Sequence, residues 1–194
     1  MKIDVTNITL ETKRLILRAF QIEDLENFFD YARVPGVGEA AGWLHHKSIE
    51  DTKKVAEMFI KEKNIFSLVD KDMGKMIGTL GLHEPDGKMP ELVYEKFKKK
   101  NIVELGFVLS NEYWGKGLMP EAVSAVLKYL FENTDAEFVM AGYFVNNERS
   151  MRTQEKVGMT KFAEGIGKDA QKRDIGISFT GITKEKYFDR ITAK

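Results

Sequence analysis

Apolar residues recur along this chain at two different spacings, and each change of spacing marks an element. The stretch from Arg14 to Arg18, with Leu15, Ile16 and Leu17 inside two arginines, reads as a first strand. From Ile22 to Tyr31, Leu25, Phe28 and Phe29 fall at helical spacing with Asp24 near the start, which predicts a helix. Pro35 with Gly36 and Gly38 breaks it. Ser48 is placed to cap a second helix, with Asp51 in the capping-box position and Val55, Met58 and Phe59 on one face. Phe66–Val69 and Met76–Leu82 flank a Lys71–Gly74 turn and predict a hairpin.

The segment from His83 to Asn101 is polar, carries Pro85, Gly87, Pro90 and Lys98–Lys100, and reads as a long surface excursion with room for one helical turn. Ile102–Leu109 predicts the next strand. Leu118–Phe131 is strongly amphipathic, with Met119, Ala122, Val123, Val126, Leu127 and Leu130 on one face and Pro120 suited to a first turn. Phe138–Tyr143 follows as a strand, and Asn147–Lys156 as a helix stopped by Gly158. Phe162–Ala163 and Asp174–Ile182 read as late strands, and Lys184–Ile191 as a terminal helix. This order predicts an α+β fold with a mixed sheet rather than a regular parallel one. The 194 residues are enough for a single domain spanning 1–194.

Charge narrows the functional classes. Thirty Lys and Arg balance thirty Asp and Glu, so the basic excess of a nucleic-acid or anionic-membrane binder is missing. No apolar run reaches the length of a membrane span, and Met1–Asp4 lacks an apolar signal core. The expectation is a soluble cytoplasmic protein with no membrane and no nucleic-acid partner. The absence of cysteine removes disulfides, cysteine metal sites and a covalent thiol intermediate. His45, His46 and His83 show no metal-ligand spacing, so no metal is expected.

The most informative stretch runs from Glu104 to Ala122. A strand enters a Gly115-Lys116-Gly117 turn, and the turn opens a helix. Glycines there allow positive φ and close approach of a ligand, and free amides at a helix start attract anions. Each hydrogen bond to a charged oxygen contributes on the order of 1.5–3 kcal/mol. A dinucleotide fingerprint would need a third glycine where Pro120 stands, and a P-loop would need Ser or Thr after its Gly-Lys, whereas Lys116 is followed by Gly117 and Leu118. An ordinary strand-to-helix turn also fits the pattern taken alone.

Four blocks in order carry a resemblance: Thr12–Arg18, Glu104–Leu109, Tyr113–Ala122 and Asn147–Met159. With them the sequence resembles the GNAT superfamily of N-acyltransferases, in particular the RimJ/RimL-type branch of ribosomal-protein N-terminal acetyltransferases. The resemblance implies a GNAT-like fold, a central mixed, mostly antiparallel sheet flanked by helices, with its fourth and fifth strands (Ile102–Leu109 and Phe138–Tyr143) splayed. It implies acetyl-CoA as acyl donor, its pantetheine arm against the backbone of Phe107, Val108 and Leu109 and beside Asn147. Its pyrophosphate would lie on the loop of Trp114, Gly115, Lys116, Gly117, Leu118 and Met119. Three positions depart from the wider family. Glu112 replaces a common Arg or Gln, Gln154 stands where many members have a general-acid Tyr, and Met159 replaces a Phe. The 83–101 insertion lies outside the common core.

An amine must be neutral to attack a thioester, so a base or a water chain leading to one is needed. Glu104, on the strand that would flank the thioester, is the candidate base, and an ordinary strand carboxylate is the alternative. Ser150 matches a serine proposed in the related branch as acid or thiol partner. It also fits a helix-start serine bonded to backbone. His45 and His46 lie in a region that roofs the acceptor site in the family, and surface loop residues are the alternative. The expected reaction is direct transfer of acetyl to a primary amine in a ternary complex. The amine is a protein N-terminus or a small molecule, and the acceptor pocket is built from Val34–Lys47 and His83–Asn101. A non-catalytic acyl-CoA sensor is the rival function, and a homodimer is compatible with either.

Overall fold

A computed structural model describes residues 2–85 and 101–193. Strands β1 (Leu10–Glu11) and β2 (Leu15–Ala19) lead through a 3₁₀ turn at Ile22–Asp24 into α1 (Leu25–Ala32). Then come α2 (Ile49–Glu62), β3 (Ile65–Asp70), β4 (Met76–His83) and β5 (Ile102–Leu109). The chain continues through α3 (Leu118–Asn133), β6 (Phe138–Phe144), α4 (Glu148–Lys156), β7 (Thr160–Lys168), β8 (Asp174–Thr183) and α5 (Lys184–Thr192). Among the described residues the strands form one eight-stranded sheet in the order β1-β2-β3-β4-β5-β6-β8-β7. Every neighbouring pair is antiparallel except β5 and β6, which run parallel. The mixed, mostly antiparallel α+β sheet is therefore as expected; of the surface excursion predicted at His83–Asn101, His83 belongs to β4 and residues 86–100 lie outside the described residues.

Three local details differ from the sequence reading. The short β1 was not expected; it is two residues long and pairs only with β2. The strand expected at Phe162–Ala163 extends over nine residues, Thr160–Lys168. It is a half-exposed edge strand whose Gly165 and Gly167 dilute the alternating pattern, and pairing with β8 rather than its own propensity defines it. Ser48 does cap α2, accepting from the Asp51 N–H at 3.2 Å, but the Asp51 carboxylate accepts from the Lys47 N–H instead of closing a box on Ser48.

Helices cover both faces. On one, α3 buries Leu118, Met119, Ala122, Val123, Val126, Leu127 and Leu130 against Leu15, Leu17, Leu80, Val103 and Leu105 of the sheet. On the other, α1 and α2 pack Phe28, Tyr31 and Ala56 over Ile65, Val69 and Met76. The rings of Phe20, Phe28 and Phe59 stand 5.5–5.7 Å apart in this second layer. Asp24 fastens the layer to β2 and β3. It is 3% exposed and takes both guanidinium nitrogens of Arg18 at 2.7 Å, the Ser67 hydroxyl at 2.7 Å and the Gln21 N–H. Burial pushes the Asp24 carboxyl up, but these donors outweigh it and hold it below its ordinary value. A depressed carboxyl stabilises the fold fully above its unfolded pKa, about 4, and loses that contribution as pH falls through the folded value. Asp24→Asn is expected to cost about 2–3 kcal/mol in urea unfolding at pH 7. The cost should shrink as pH falls below ~4, where the unfolded parent takes up its proton while the folded carboxylate does so only at lower pH.

Candidate active site

The site begins where two strands stop pairing. The parallel register of β5 and β6 runs only through Ile102↔Phe138, Val103↔Val139 and Glu104↔Met140. Past Glu104, β5 continues to Leu109 paired with β4 alone, and β6 continues to Phe144 paired with β8 alone. A cleft of about 970 Å³ opens between them, lined by Glu104–Leu109, Gly142–Phe144 and the start of α3. The β6-facing backbone groups of β5 beyond Glu104 have no neighbouring strand, so they need a ligand or water as partner. This is the splay expected for these two strands.

The loop after β5 is fixed from three sides. Trp114 donates its indole N–H to the Leu109 carbonyl at 2.9 Å, and the Arg149 guanidinium stacks on its ring at 3.8 Å. Gly115 and Gly117 have φ of 76° and 75°, a region that L side chains avoid, and nothing lies within 4 Å of where a Gly115 Cβ would stand. Gly117 caps α3 without any side-chain acceptor for the first amides. Leu118 and Met119 turn their side chains into the core, so only their backbone N–H groups serve the cleft. From the other side, Arg14 bonds the Lys116 carbonyl at 2.9 Å and pairs with Glu121 through Nε at 2.8 Å and Nη2 at 2.7 Å. Thr12 and the Arg14 N–H add bonds of 2.6 and 2.9 Å to the same Glu121 oxygen. Burial raises the Glu121 carboxyl, but these donors hold it below the usual range. The resulting cradle of backbone donors at a positive helix end fits a pyrophosphate. Lys116 itself lies outside the lining, with its ammonium over the Tyr113 ring at 4.8 Å.

Asn147 and Ser150 sit on the opposite wall. Asn147 caps α4, its Oδ1 accepting from the Ser150 N–H at 3.1 Å, and its Nδ2 donates to the Ala40 carbonyl at 2.9 Å. One Nδ2 hydrogen is left for another acceptor. The bond to Ala40 pins the segment whose Val37, Ala40, Ala41 and Gly42 roof the cleft. Gln154, at the position of the missing tyrosine, is fully buried behind Ser150 and does not line the cleft.

Glu104, Phe107, Val108, Leu109, Trp114, Gly115, Gly117, Leu118, Met119, Asn147 and Ser150 thus come together around one cleft. His45 and His46 do not join them. His45 places Nδ1 2.8 Å from Glu39, and His46 places Nδ1 2.8 Å from the Thr52 hydroxyl while its ring packs on Phe28 and Trp43. Burial lowers the His46 pKa. Burial pushes Glu39 up, but donors from the His45 ring, the backbones of His45 and Glu39, and the Gly36 N–H bring it to about 2. Both histidines therefore brace the roof from outside. Sequence reading overlooked Arg149, Arg152, Lys156, Lys168 and Lys172, which also line the cleft. The spacing of 149, 152 and 156 on one helical face was the available signal. Among the described residues no group of three or more His, Asp or Glu could hold a metal, and no helix is long and apolar enough to cross a membrane.

Residues 14–160 match the model of the acetyltransferase (GNAT) domain, which takes in most of the fold, the whole loop and the cleft lining apart from residues of β7, β8 and the turn between them. The chain belongs to the GNAT acetyltransferase family. It is an acetyl-CoA-dependent N-acetyltransferase. It is 35% identical over 180 residues to the [ribosomal protein uS5]-alanine N-acetyltransferase of Escherichia coli (strain K12), covering 86% of this chain and 84% of that protein. A GNAT-family acetyltransferase structure from Bacillus anthracis superposes with a TM-score of 0.76 at 22% identity, over 92% of this chain and 99% of the other. The spermidine N-acetyltransferase from Vibrio cholerae, solved with CoA and spermine, superposes with a TM-score of 0.70 at 17% identity, over 91% and 99% of the two chains. In this acetyltransferase, Gly117→Glu sets a carboxylate in the amide cradle. Calorimetric titration is expected to show acetyl-CoA binding by the parent and none by the folded variant. Gly117→Ala carries the same backbone strain, about 1–2 kcal/mol, without the charge, and should retain measurable binding.

Proposed function

We propose that this enzyme acetylates the free α-amine of a polypeptide N-terminus by direct attack on acetyl-CoA in a ternary complex. The charge of the cleft carries the reading. Among its described lining residues Glu104 is the only acid, while Arg149, Arg152, Lys156, Lys168 and Lys172 are cations. A polyamine would bring several positive charges into that field, whereas an N-terminus brings one. The relative in Escherichia coli, an enzyme for the N-terminal alanine of a ribosomal protein, supports the same choice. So does acid–base chemistry. With a pKa of about 7.7–8.0 roughly a third of an α-amine is neutral near pH 7.5, against about one lysine amine in a thousand. The setting proposed is the cytoplasm.

Each residue has a role in this reading. The amides from Gly115 to Met119 hold the pyrophosphate, with Trp114 and the Lys116 backbone shaping the loop. The open backbone of Phe107, Val108 and Leu109 orients the pantetheine arm, and Asn147 offers its spare N–H beside it. Bound acetyl-CoA supplies the thioester. Glu104, at the root of the splay, takes a proton from the attacking amine, directly or through water. Backbone N–H groups on the open edge of β5 receive the oxyanion. As the C–S bond breaks, the Ser150 hydroxyl gives a proton to the sulfur and recovers one from solvent.

Glu104→Gln is expected to lower kcat about 100-fold while the KM for acetyl-CoA stays within about twofold, as read by release of free thiol. In the same assay a peptide with a free N-terminal alanine should exceed spermidine in kcat/KM by at least about tenfold. The opposite order would sink the N-terminal reading. Donor binding without turnover of any amine would return the cleft to a sensor.

A further inference from the structure

The loss of the tyrosine acid at position 154 raises the question of what its replacement does there. Gln154 is 0% exposed and sits on α4 one turn after Ser150. Its amide touches three groups. Thr180 Oγ1 lies 2.5 Å from Oε1, the Gly142 carbonyl oxygen lies 3.5 Å from Nε2, and Ser150 Oγ lies 3.0 Å from Nε2. The Gly142 carbonyl can only accept, so the amide must turn Nε2 toward it. The reverse orientation would set the Gln154 and Gly142 carbonyl oxygens against each other.

With the amide oriented this way, Nε2 donates to Ser150 Oγ. One lone pair of that oxygen is then occupied by a donor, and its own hydrogen must point elsewhere. The Ser150 N–H is already taken by Asn147 Oδ1. Other hydroxyls on helices of this protein bond back to the carbonyl four residues earlier, as Ser124 does to Pro120 and Thr153 to Arg149. Ser150, the third residue of α4, has no helical carbonyl four residues back, because Asn146 lies before the helix, and it lines the cleft.

We infer that Gln154, held by Thr180, is a positioning residue that turns the Ser150 hydroxyl into a proton donor aimed at the leaving sulfur. The chain runs Thr180 O–H to Gln154 Oε1, Gln154 Nε2–H to Ser150 Oγ, and Ser150 O–H to the cleft. The network places an aliphatic hydroxyl where a phenol would otherwise act, and it explains why a polar side chain is kept fully buried at this point of α4. Gln154 touches neither donor nor acceptor. The inference rests on the proposed role of Ser150 as proton donor.

A double-mutant cycle on the full chain tests it, with kcat and the KM for acetyl-CoA measured for each variant and folding checked by thermal unfolding. Gln154→Met keeps the volume and removes the donor. It should lower kcat about tenfold with KM within about twofold, and Ser150→Ala should lower kcat at least as much. In the Ser150→Ala background, Gln154→Met should change kcat by less than about twofold, because the two act as one unit. Thr180→Val gives a second, milder route to the same loss and serves if Gln154→Met does not fold. An equal fall of kcat in both backgrounds would make Gln154 a packing residue and overturn this inference alone. An unchanged kcat in Ser150→Ala would overturn the proton-donor role and this inference with it.

Discussion

Three residue pairs hold β5 and β6 together, and everything functional follows from the pairing ending there. A continuous ladder would satisfy all backbone groups of both strands and leave no room between them. Here each strand keeps only its outer partner past Glu104, β4 for one and β8 for the other. The open edges present a row of amides and carbonyls along a cleft, already held at rigid spacing. A thioester donor bound as proposed would meet groups already in place, which is the physical basis of preorganised catalysis.

The splay is sustained by what packs on either side of it. On one wall the clamp of Arg14 and Thr12 on Glu121 joins β2 to the first turn of α3 and carries the Lys116 carbonyl with it. Residues 109 apart in the chain thereby set the position of the loop glycines. On the other wall Asn147 ties the cap of α4 to the roof at Ala40. Side chains of the sheet pack against α3 on one face, and those of its first strands against α1 and α2 on the other. The helices thus supply the stability that the missing ladder bonds do not.

Charge gives the cleft its polarity. Arg149 on Trp114, with Arg152 and Lys156 along the same helix, sets positive charge on the wall that faces the amide cradle. Glu104 lies at the opposite limit of the cleft, at the root of the splay. An anionic donor and a singly charged amine would be drawn to different regions of one opening, which favours a ternary complex over sequential occupation of one subsite.

Much of this was legible in the order of residues. The alternation at β2, β3 and β4, the apolar stripe of α3 and the glycines at 115 and 117 are local patterns, and local sterics and periodicity determine them. The four family blocks gave many of the cleft residues because they are short contiguous stretches that keep their geometry, whereas Lys168 and Lys172 lie outside them. The extension of β7 and the existence of β1 were not legible, since both are edge strands formed by pairing with a neighbour distant in sequence. His45 and His46, read as acceptor contacts or surface loop residues, do not line the described cleft, because Glu39, Thr52 and Phe28 turn them aside. The sequence by itself determined the family, the glycine loop and the order of the elements around it. Only the tertiary structure decided that Thr180 holds Gln154, that Arg14 grips Glu121, and where the two strands part. Those are contacts between side chains far apart in the chain or buried by packing, and no local propensity specifies them.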